Sequence, residues 1–276
     1  MCKIGVIGTG IMGVSISSCM SNAGMEVRLL TRGCTEIANK KLFNRLLSAE
    51  KKNKITKDDT SKILNNVYIT NNINDLANVS LVIECVVEDF DTKKSLFYKL
   101  NAMCGEDTIF CTNTSSLSVL QLALSSGRKR SFVGVHFLNP ADVIKFVEIV
   151  RTKFVLQGVI DKVIDVIDCV GYNYIVVNDT PGFIVNALLF TLINTAANML
   201  DTVSIMVIDS AIVNGLSHPE NPLRLADRIG LDVCYTILTN LYNRTGNMVY
   251  KPAVTIKKLV DSGNYGKKTG RGFYQW

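Results

Sequence analysis

Histidine is scarce in this chain, with two in 276 residues, and so is proline, with five; the 19 glycines are scattered rather than repeated. Collagen-like and low-complexity chains need far more of both proline and glycine, so those classes are excluded. Charge of one sign is also in short supply. Thirty Lys and Arg against 24 Asp and Glu leave a formal net charge of +6, a mild excess suited to an anionic small ligand or an acidic protein partner. The basic residues fall in short, distant groups, Lys51-Lys52-Asn53-Lys54, Arg128-Lys129-Arg130 and Lys267-Lys268. No basic element is interleaved with aromatics, which sets nucleic acid aside as a partner. What the chain has in quantity is apolar: 47% hydrophobic against 20% charged. That excludes intrinsic disorder. At this length roughly three quarters of the extended surface can be buried, in one large or two medium domains.

Eight cysteines are present, but no two stand at the close spacing of a zinc knuckle, and two histidines add little. No metal is expected. Cys85 and Cys111 lie in apolar, strand-like runs, where a free thiol behaves as a small hydrophobe. Reduced thiols and a cytoplasmic location are the expectation. Two segments imitate membrane signals. The start, Met1-Cys2-Lys3 followed by apolar residues and Ile16-Ser17-Ser18-Cys19, resembles a leader with a lipoprotein site. Gly5, Gly8, Gly10 and Gly13 oppose a helical leader core. Residues 182–200 carry no charge and could span a bilayer by length. Asn186, Asn194 and Asn198 would be costly in lipid and suit a buried helix instead, so no membrane segment is expected.

The first half alternates short apolar runs with amphipathic stretches, the pattern of a mainly parallel sheet wound by helices on both faces. Strands are expected at 3–7, 26–30, 67–70, 81–86, 108–112, 132–137, 146–150 and 174–177. Helices are expected at 12–23, 36–64, 94–104 and 155–170. At Asp179-Thr180-Pro181-Gly182 the texture changes, with Asp179 or Thr180 a credible N-cap before Pro181. Beyond it helical periodicity continues to about Asp261. The sequence therefore predicts an α/β domain over 1–180 and a smaller all-α domain over 181–276.

Gly8-Thr9-Gly10-Ile11-Met12-Gly13 follows the first strand and opens a helix. In that context GxGxxG reads as a dinucleotide loop. The first glycine permits the turn, the second the approach of a pyrophosphate, and the third close packing of helix on strand. The helix N-terminus supplies N–H donors to the phosphates. The second strand should end in an acid that holds the ribose hydroxyls of NAD. Here Val27-Arg28-Leu29-Leu30 runs into Thr31-Arg32. Losing the acid removes repulsion of a 2′-phosphate and an Arg can pair with it, so the cofactor is NADP or NAD with a lean to NADP.

His136 ends the apolar run Phe132-Val133-Gly134-Val135, at the carboxyl end of a strand, where open α/β sheets bind ligands. Twelve residues on, Glu148 interrupts Phe146-Val147-Glu148-Ile149-Val150. A lone carboxylate among apolar neighbours needs a partner. A His–Glu pair supplies one and makes a general acid/base of fixed orientation.

GTGIMG at 8–13, VIECVVED at 82–89, NTSSLS at 113–118, HFLNP at 136–140, VIKFVEIV at 143–150, DTPGFIVN at 179–186 and GKKTGRGFY at 266–274 stand in one order. Together they resemble the L-3-hydroxyacyl-CoA dehydrogenase family, in its short, single-function 3-hydroxybutyryl-CoA form, over nearly the whole chain. The resemblance implies a Rossmann-like domain followed by a helical one that dimerises and closes over the site. It implies reversible hydride transfer between NAD(P) and C3 of a 3-hydroxyacyl or 3-oxoacyl thioester. It gives His136 the role of base, Glu148 that of its orienting acid, and Ser115 and Asn186 hydrogen bonds to the reacting substrate. Glu88, Lys93, Asn113, Asn139 and Lys268 are placed on cofactor or substrate, and Lys51, Lys52 and Lys54 near the coenzyme A nucleotide.

The chain departs from the family's pattern at Thr31, at Ser15, where relatives often have glycine, and at Thr195, a position that is commonly Glu. His218-Pro219-Glu220-Asn221-Pro222 replaces a usual Pro-Met-Gly-Pro, and the connection at 201–207 looks short. Two alternatives therefore stay open: the same chemistry on an acyl-carrier-protein-bound intermediate, whose acidity suits the basic excess, and a catalytically idle relative with a structural role.

Overall fold

The computed structural model describes residues 2–276, and the chain divides into two compact units, one ending at Asp179 and one running Thr180–Trp276. The first is built on an eight-stranded sheet in the order β3-β2-β1-β4-β5-β6-β7-β8. Its elements in chain order are β1 (Lys3–Ile7), α1 (Ile11–Asn22), β2 (Glu26–Leu30), α2 (Thr35–Lys51), α3 (Lys57–Asn66), β3 (Val67–Thr70) and β4 (Leu81–Glu84). There follow α4 (Phe90–Met103), β5 (Ile109–Thr112), α5 (Val119–Ser125), β6 (Phe132–Phe137), β7 (Phe146–Arg151), α6 (Gln157–Val170) and β8 (Asn173–Asn178). β3 to β6 are mutually parallel; β7 pairs antiparallel with β6 and parallel with β8. Strands covered on both faces are continuous in apolar residues. Ile4, Val6, Val27, Leu29 and Ile83 accordingly sit in the core with Ile16 and Met20 of α1. This is the sheet wound by helices on both faces that the alternating pattern predicts, and the Rossmann-like domain that the resemblance implies.

Within the helical unit are α7 (Val185–Met199), α8 (Ile205–Ser210), α9 (Pro222–Ile229), α10 (Leu231–Thr245) and α11 (Val254–Asp261). Its core joins Phe190, Ile193, Leu223, Leu231, Leu238 and Ile256. The uncharged stretch that could pass for a membrane span is the 15-residue α7 with the turns before it. Asn194 there donates to the carbonyls of Val249 and Lys251, 2.8 Å each, and accepts from Ala253 N at 2.9 Å. Among the described residues no helix is long and apolar enough to cross a membrane.

The structure differs from the sequence reading in three places. The single helix expected over 36–64 is two, α2 and α3, separated by a turn in which Asn53 takes φ 54°. Thr56 and Asp59 form a capping box that starts α3 afresh. A short helix, α5, occupies residues to which the sequence reading assigned no element. The expected cap before Pro181 does not exist, because α7 begins only at Val185. Asp179 instead serves α5: its Oδ2 accepts from Leu120 N at 2.7 Å and from Ser118 Oγ at 2.8 Å. Asn186 lies inside the first turn of α7, largely buried.

Candidate active site

Register places the chemistry along one rim of the sheet. Ile7, Glu84, Thr112 and Gly134 are in line across β1, β4, β5 and β6. The glycine turn begins one residue beyond Ile7, the Asn113–Ser116 turn just beyond Thr112, and His136 two beyond Gly134. All three therefore stand at the carboxyl ends of parallel strands, and β1 and β4 flank the point where strand order reverses.

At the glycine turn each residue has its own constraint. Gly8 has φ 109°, and a Cβ there would lie 2.5 Å from the Cys85 carbonyl oxygen. A Cβ on Gly13 would stand 1.8 Å from the Gly8 carbonyl oxygen, so α1 can pack this closely only on glycine. Gly10 is different: nothing lies within 4 Å of where its Cβ would be. Its smallness serves the open side of the turn, where a phosphate can approach the N–H groups that start α1. The residues present fit a dinucleotide.

The turn faces a cavity of about 390 Å³ lined by Gly8, Gly10, Thr31, Arg32, Lys41 and Val86. Thr31 is buried and its hydroxyl is engaged, 3.1 Å from Thr9 Oγ1 and accepting from Gly33 N at 3.2 Å. It ties the β2–α2 turn to the glycine turn. Arg32 and Lys41 are exposed cations on the cavity wall. Lys41, on α2, escaped the sequence reading because a single lysine on a polar helix gives no signal until the helix is placed.

His136 and Glu148 are direct partners across β6 and β7. Antiparallel neighbours put their side chains on the same face, which converts a spacing of twelve residues into contact. Nδ1 of His136 lies 2.8 Å from Glu148 Oε2, with Glu148 fully buried and His136 6% exposed. With Nδ1–H donated to the carboxylate, Nε2 carries the basic lone pair. Asn113 accepts from Phe137 N at 2.9 Å through its Oδ1 and donates its own N–H to Glu84 O at 2.8 Å. It thus braces the backbone beside His136. Asn139 is exposed just past β6, where it precedes a cis Pro140.

Lys93, which the resemblance places on cofactor or substrate, is held between two carboxylates. It is 1% exposed, and its ammonium meets Glu84 Oε1 and Oε2 at 2.7 and 2.8 Å and Glu88 Oε2 at 3.2 Å. Glu88 Oε1 in turn accepts from Thr114 Oγ1 at 2.6 Å, Ser115 N at 2.9 Å and Ser116 N at 3.0 Å. Burial works against an ionised Glu88, but Lys93 and these donors hold its carboxyl below the usual carboxylate range. Burial likewise opposes a charged Lys93, and its two carboxylates more than offset this, raising it above an ordinary lysine. Glu84 was missed in the sequence, although the argument that singles out Glu148 applies to it equally: an acid closing the apolar strand Leu81-Val82-Ile83-Glu84.

In the helical unit, Lys268 pairs with Asp232 at 2.6 Å. Glu220, the unusual acid in the 218–222 segment, is bound to Arg228 at 2.8 Å, while Asn221 and Pro222 start α9. Of the three lysines assigned to a nucleotide, Lys52 and Lys54 line a cavity of about 200 Å³ with Arg45, Ser48, Pro140 and Val143; Lys51 does not. Ser15, another departure, accepts from Arg45 at 2.9 Å, and Arg45 also pairs with Asp142 at 2.6 Å. The cysteines add no metal site: no group of His, Cys, Asp and Glu among the described residues could hold one. Burial pushes the Cys85 and Cys111 thiols up, as suits inert core residues.

A glycine turn opening a doubly wound sheet, with a carboxylate-oriented imidazole on the same rim, defines a nicotinamide-dependent dehydrogenase. Residues 3–180 match the 3-hydroxyacyl-CoA dehydrogenase, NAD binding domain, and residues 182–276 the 3-hydroxyacyl-CoA dehydrogenase, C-terminal domain. The chain belongs to the 3-hydroxyacyl-CoA dehydrogenase family. It is 36% identical over 278 residues to 3-hydroxybutyryl-CoA dehydrogenase of Clostridioides difficile, covering 99% of each. Against the probable 3-hydroxybutyryl-CoA dehydrogenase of Bacillus subtilis the identity is 33%, over 99% of this chain and 97% of the relative. The crystal structure of M. tuberculosis FadB2 superposes with a TM-score of 0.94 at 32% identity, covering 99% of this chain and 98% of that one.

Proposed function

We propose that the protein interconverts a short-chain 3-hydroxyacyl-CoA and its 3-oxo form, with NADP(H) preferred over NAD(H) and His136 as the general acid/base. The observation that carries this reading is the His136–Glu148 pair on the same rim as the glycine turn. Gly8, Gly10, Ile11, Met12 and Gly13 would hold the dinucleotide, which supplies the hydride acceptor or donor at its nicotinamide ring. His136 takes the C3 hydroxyl proton during oxidation and returns it during reduction. Glu148 keeps Nδ1 protonated and stabilises the imidazolium that forms. Ser115 and Asn186 are assigned as donors to the oxygen on which negative charge develops. Asn113, which braces the backbone beside His136, is assigned with Asn139 and Lys268 to the cofactor.

Lys52 and Lys54, on the wall of a cavity shared with the segment after β6, suit the phosphates of a coenzyme A nucleotide. For the dimer we point to the helical unit, where Leu188, Met206, Val207 and Leu216 are all more than half exposed. A monomer seldom leaves that many large apolar side chains in water. The eight free thiols accord with a reducing cytoplasm.

The test is the absorbance of the reduced nicotinamide on mixing protein with acetoacetyl-CoA and NADPH or NADH. Rapid loss, faster with NADPH, is expected. Turnover only with an acetoacetyl carrier protein would move the substrate to that carrier, and none with either would leave a structural role. NADP preference rests on the absence of an acid at Thr31 and on Arg32 and Lys41 at the cavity wall. Arg32→Ala and Lys41→Ala are each expected to weaken NADPH by about 5- to 50-fold, the loss of one charge-assisted contact. NADH affinity, followed by fluorescence titration, should barely change. Equal losses for both cofactors would rule out pairing with a 2′-phosphate.

A further inference from the structure

Glu84 and Lys93 form an ion pair with almost no solvent contact, 0% and 1% exposed. Such a pair costs two desolvations and is often no more stabilising than apolar residues of the same volume. Burying one here therefore calls for another use. All the hydrogen-bonding capacity of the Lys93 ammonium is spent: three acceptor oxygens, two on Glu84 and one on Glu88, lie within 3.2 Å. An ammonium has three donors, so Lys93 is a strut between two carboxylates.

Glu84 is itself clamped. Thr112 Oγ1 donates to its Oε2 at 2.7 Å, and Val86 N to its Oε1 at 2.7 Å. The clamp thus joins the ends of β4 and β5 to the first turn of α4. At the far end of the strut, Glu88 is held by Lys93 on one oxygen and organises the 114–116 turn on the other. Besides the bonds already described, its Oε1 receives Ser116 Oγ at 3.0 Å and lies 3.4 Å from Ser115 Oγ. A continuous chain of charge-assisted bonds, Glu84 to Lys93 to Glu88 to the Ser115 backbone, runs from the sheet to the turn that carries the Ser115 hydroxyl.

We propose that Glu84 is a positioning residue for Ser115, acting through Lys93 and Glu88. This rests on the reading of Ser115 as a donor to the reacting oxygen. With Glu84 ionised, Lys93 is pinned and can offer Glu88 only one geometry. With the charge removed, Lys93 shifts toward Glu88, the carboxylate moves, and the Ser115 and Ser116 N–H groups follow it. A small displacement of a group that contacts a transition state is enough to slow the reaction substantially.

The test is a double-mutant cycle on the full-length protein, read in kcat, in KM for acetoacetyl-CoA and in reduced-cofactor affinity. Glu84→Gln is expected to lower kcat by about 10- to 100-fold with cofactor affinity within about twofold of wild type. In a Ser115→Ala background the same change should cost almost nothing more, because residues acting as one unit are not additive. Multiplying losses in the double variant would overturn the proposal, as would an unchanged kcat in Glu84→Gln or a loss confined to cofactor binding. Ser115→Ala with wild-type kcat would instead strike the assignment of Ser115 itself. Should Glu84→Gln fail to fold, Thr112→Val removes one bond to Glu84 from an isosteric side chain. It should show the same pattern at smaller amplitude, and additivity with Ser115→Ala would again refute the coupling.

Discussion

Replacing His136 by alanine is expected to lower kcat by about 10² to 10⁴-fold, the range associated with a positioned general acid/base. Reduced-cofactor affinity should be nearly unaffected, because the glycine turn and the Arg32–Lys41 cavity are built from β1, β2 and α2 rather than from β6. The substitution also removes a hydrogen-bond partner of a fully buried carboxylate, Glu148. Some loss of thermal stability should accompany it, on the scale of about 3–5 kcal/mol for breaking a buried pair. The two effects separate experimentally: kcat is measured well below the variant's melting temperature, where the folded fraction is complete. A folded His136→Ala variant with normal kcat would remove the imidazole from the reaction.

The change with the next largest expected effect is Glu148→Gln, which alters charge and hydrogen-bond sense while keeping shape. A carboxylate can only accept from His136 Nδ1 across the observed 2.8 Å; an amide can also donate. If it donates, Nδ1 becomes the acceptor, the proton moves to Nε2, and the nitrogen with the basic lone pair is on the wrong side of the ring. An analogous carboxylate-to-amide change in a hydrolase triad costs about 10⁴ in kcat for this reason. We expect about 10² to 10⁴-fold here, with recovery toward high pH absent. Glu148→Asp keeps the charge and should be much milder if the shorter side chain still reaches. Equal losses in Gln and Asp variants would mean that packing, not tautomer control, is what Glu148 supplies.

Much of this was legible because it is encoded locally. The glycine spacing at 8–13 states its own geometry, since each glycine answers a steric demand within a few residues. His136 and Glu148 could be paired because each was anomalous where it stood, a polar residue in an apolar strand. Glu84 was equally anomalous, but its partner Lys93 stood just outside the helix expected over 94–104 and was credited, through the resemblance, to a ligand. Only the placement of α4 turns that lysine inward. The break between α2 and α3 was written as Thr56 and Asp59, yet the surrounding charges masked it. Asp179 illustrates the opposite error: the right residue type for a cap, credited to the helix that follows in sequence rather than to α5, which precedes it by some sixty residues.

That last contact has a practical corollary for dividing the chain. Asp179 closes the nucleotide-binding unit and at the same time supplies the acceptor that anchors the start of α5, only a few residues after Ser115. A fragment cut after residue 178 would look intact by strand count. It would nevertheless leave the Leu120 amide and Ser118 hydroxyl without their carboxylate, loosening the neighbourhood of Ser115 while the cofactor cradle stayed whole.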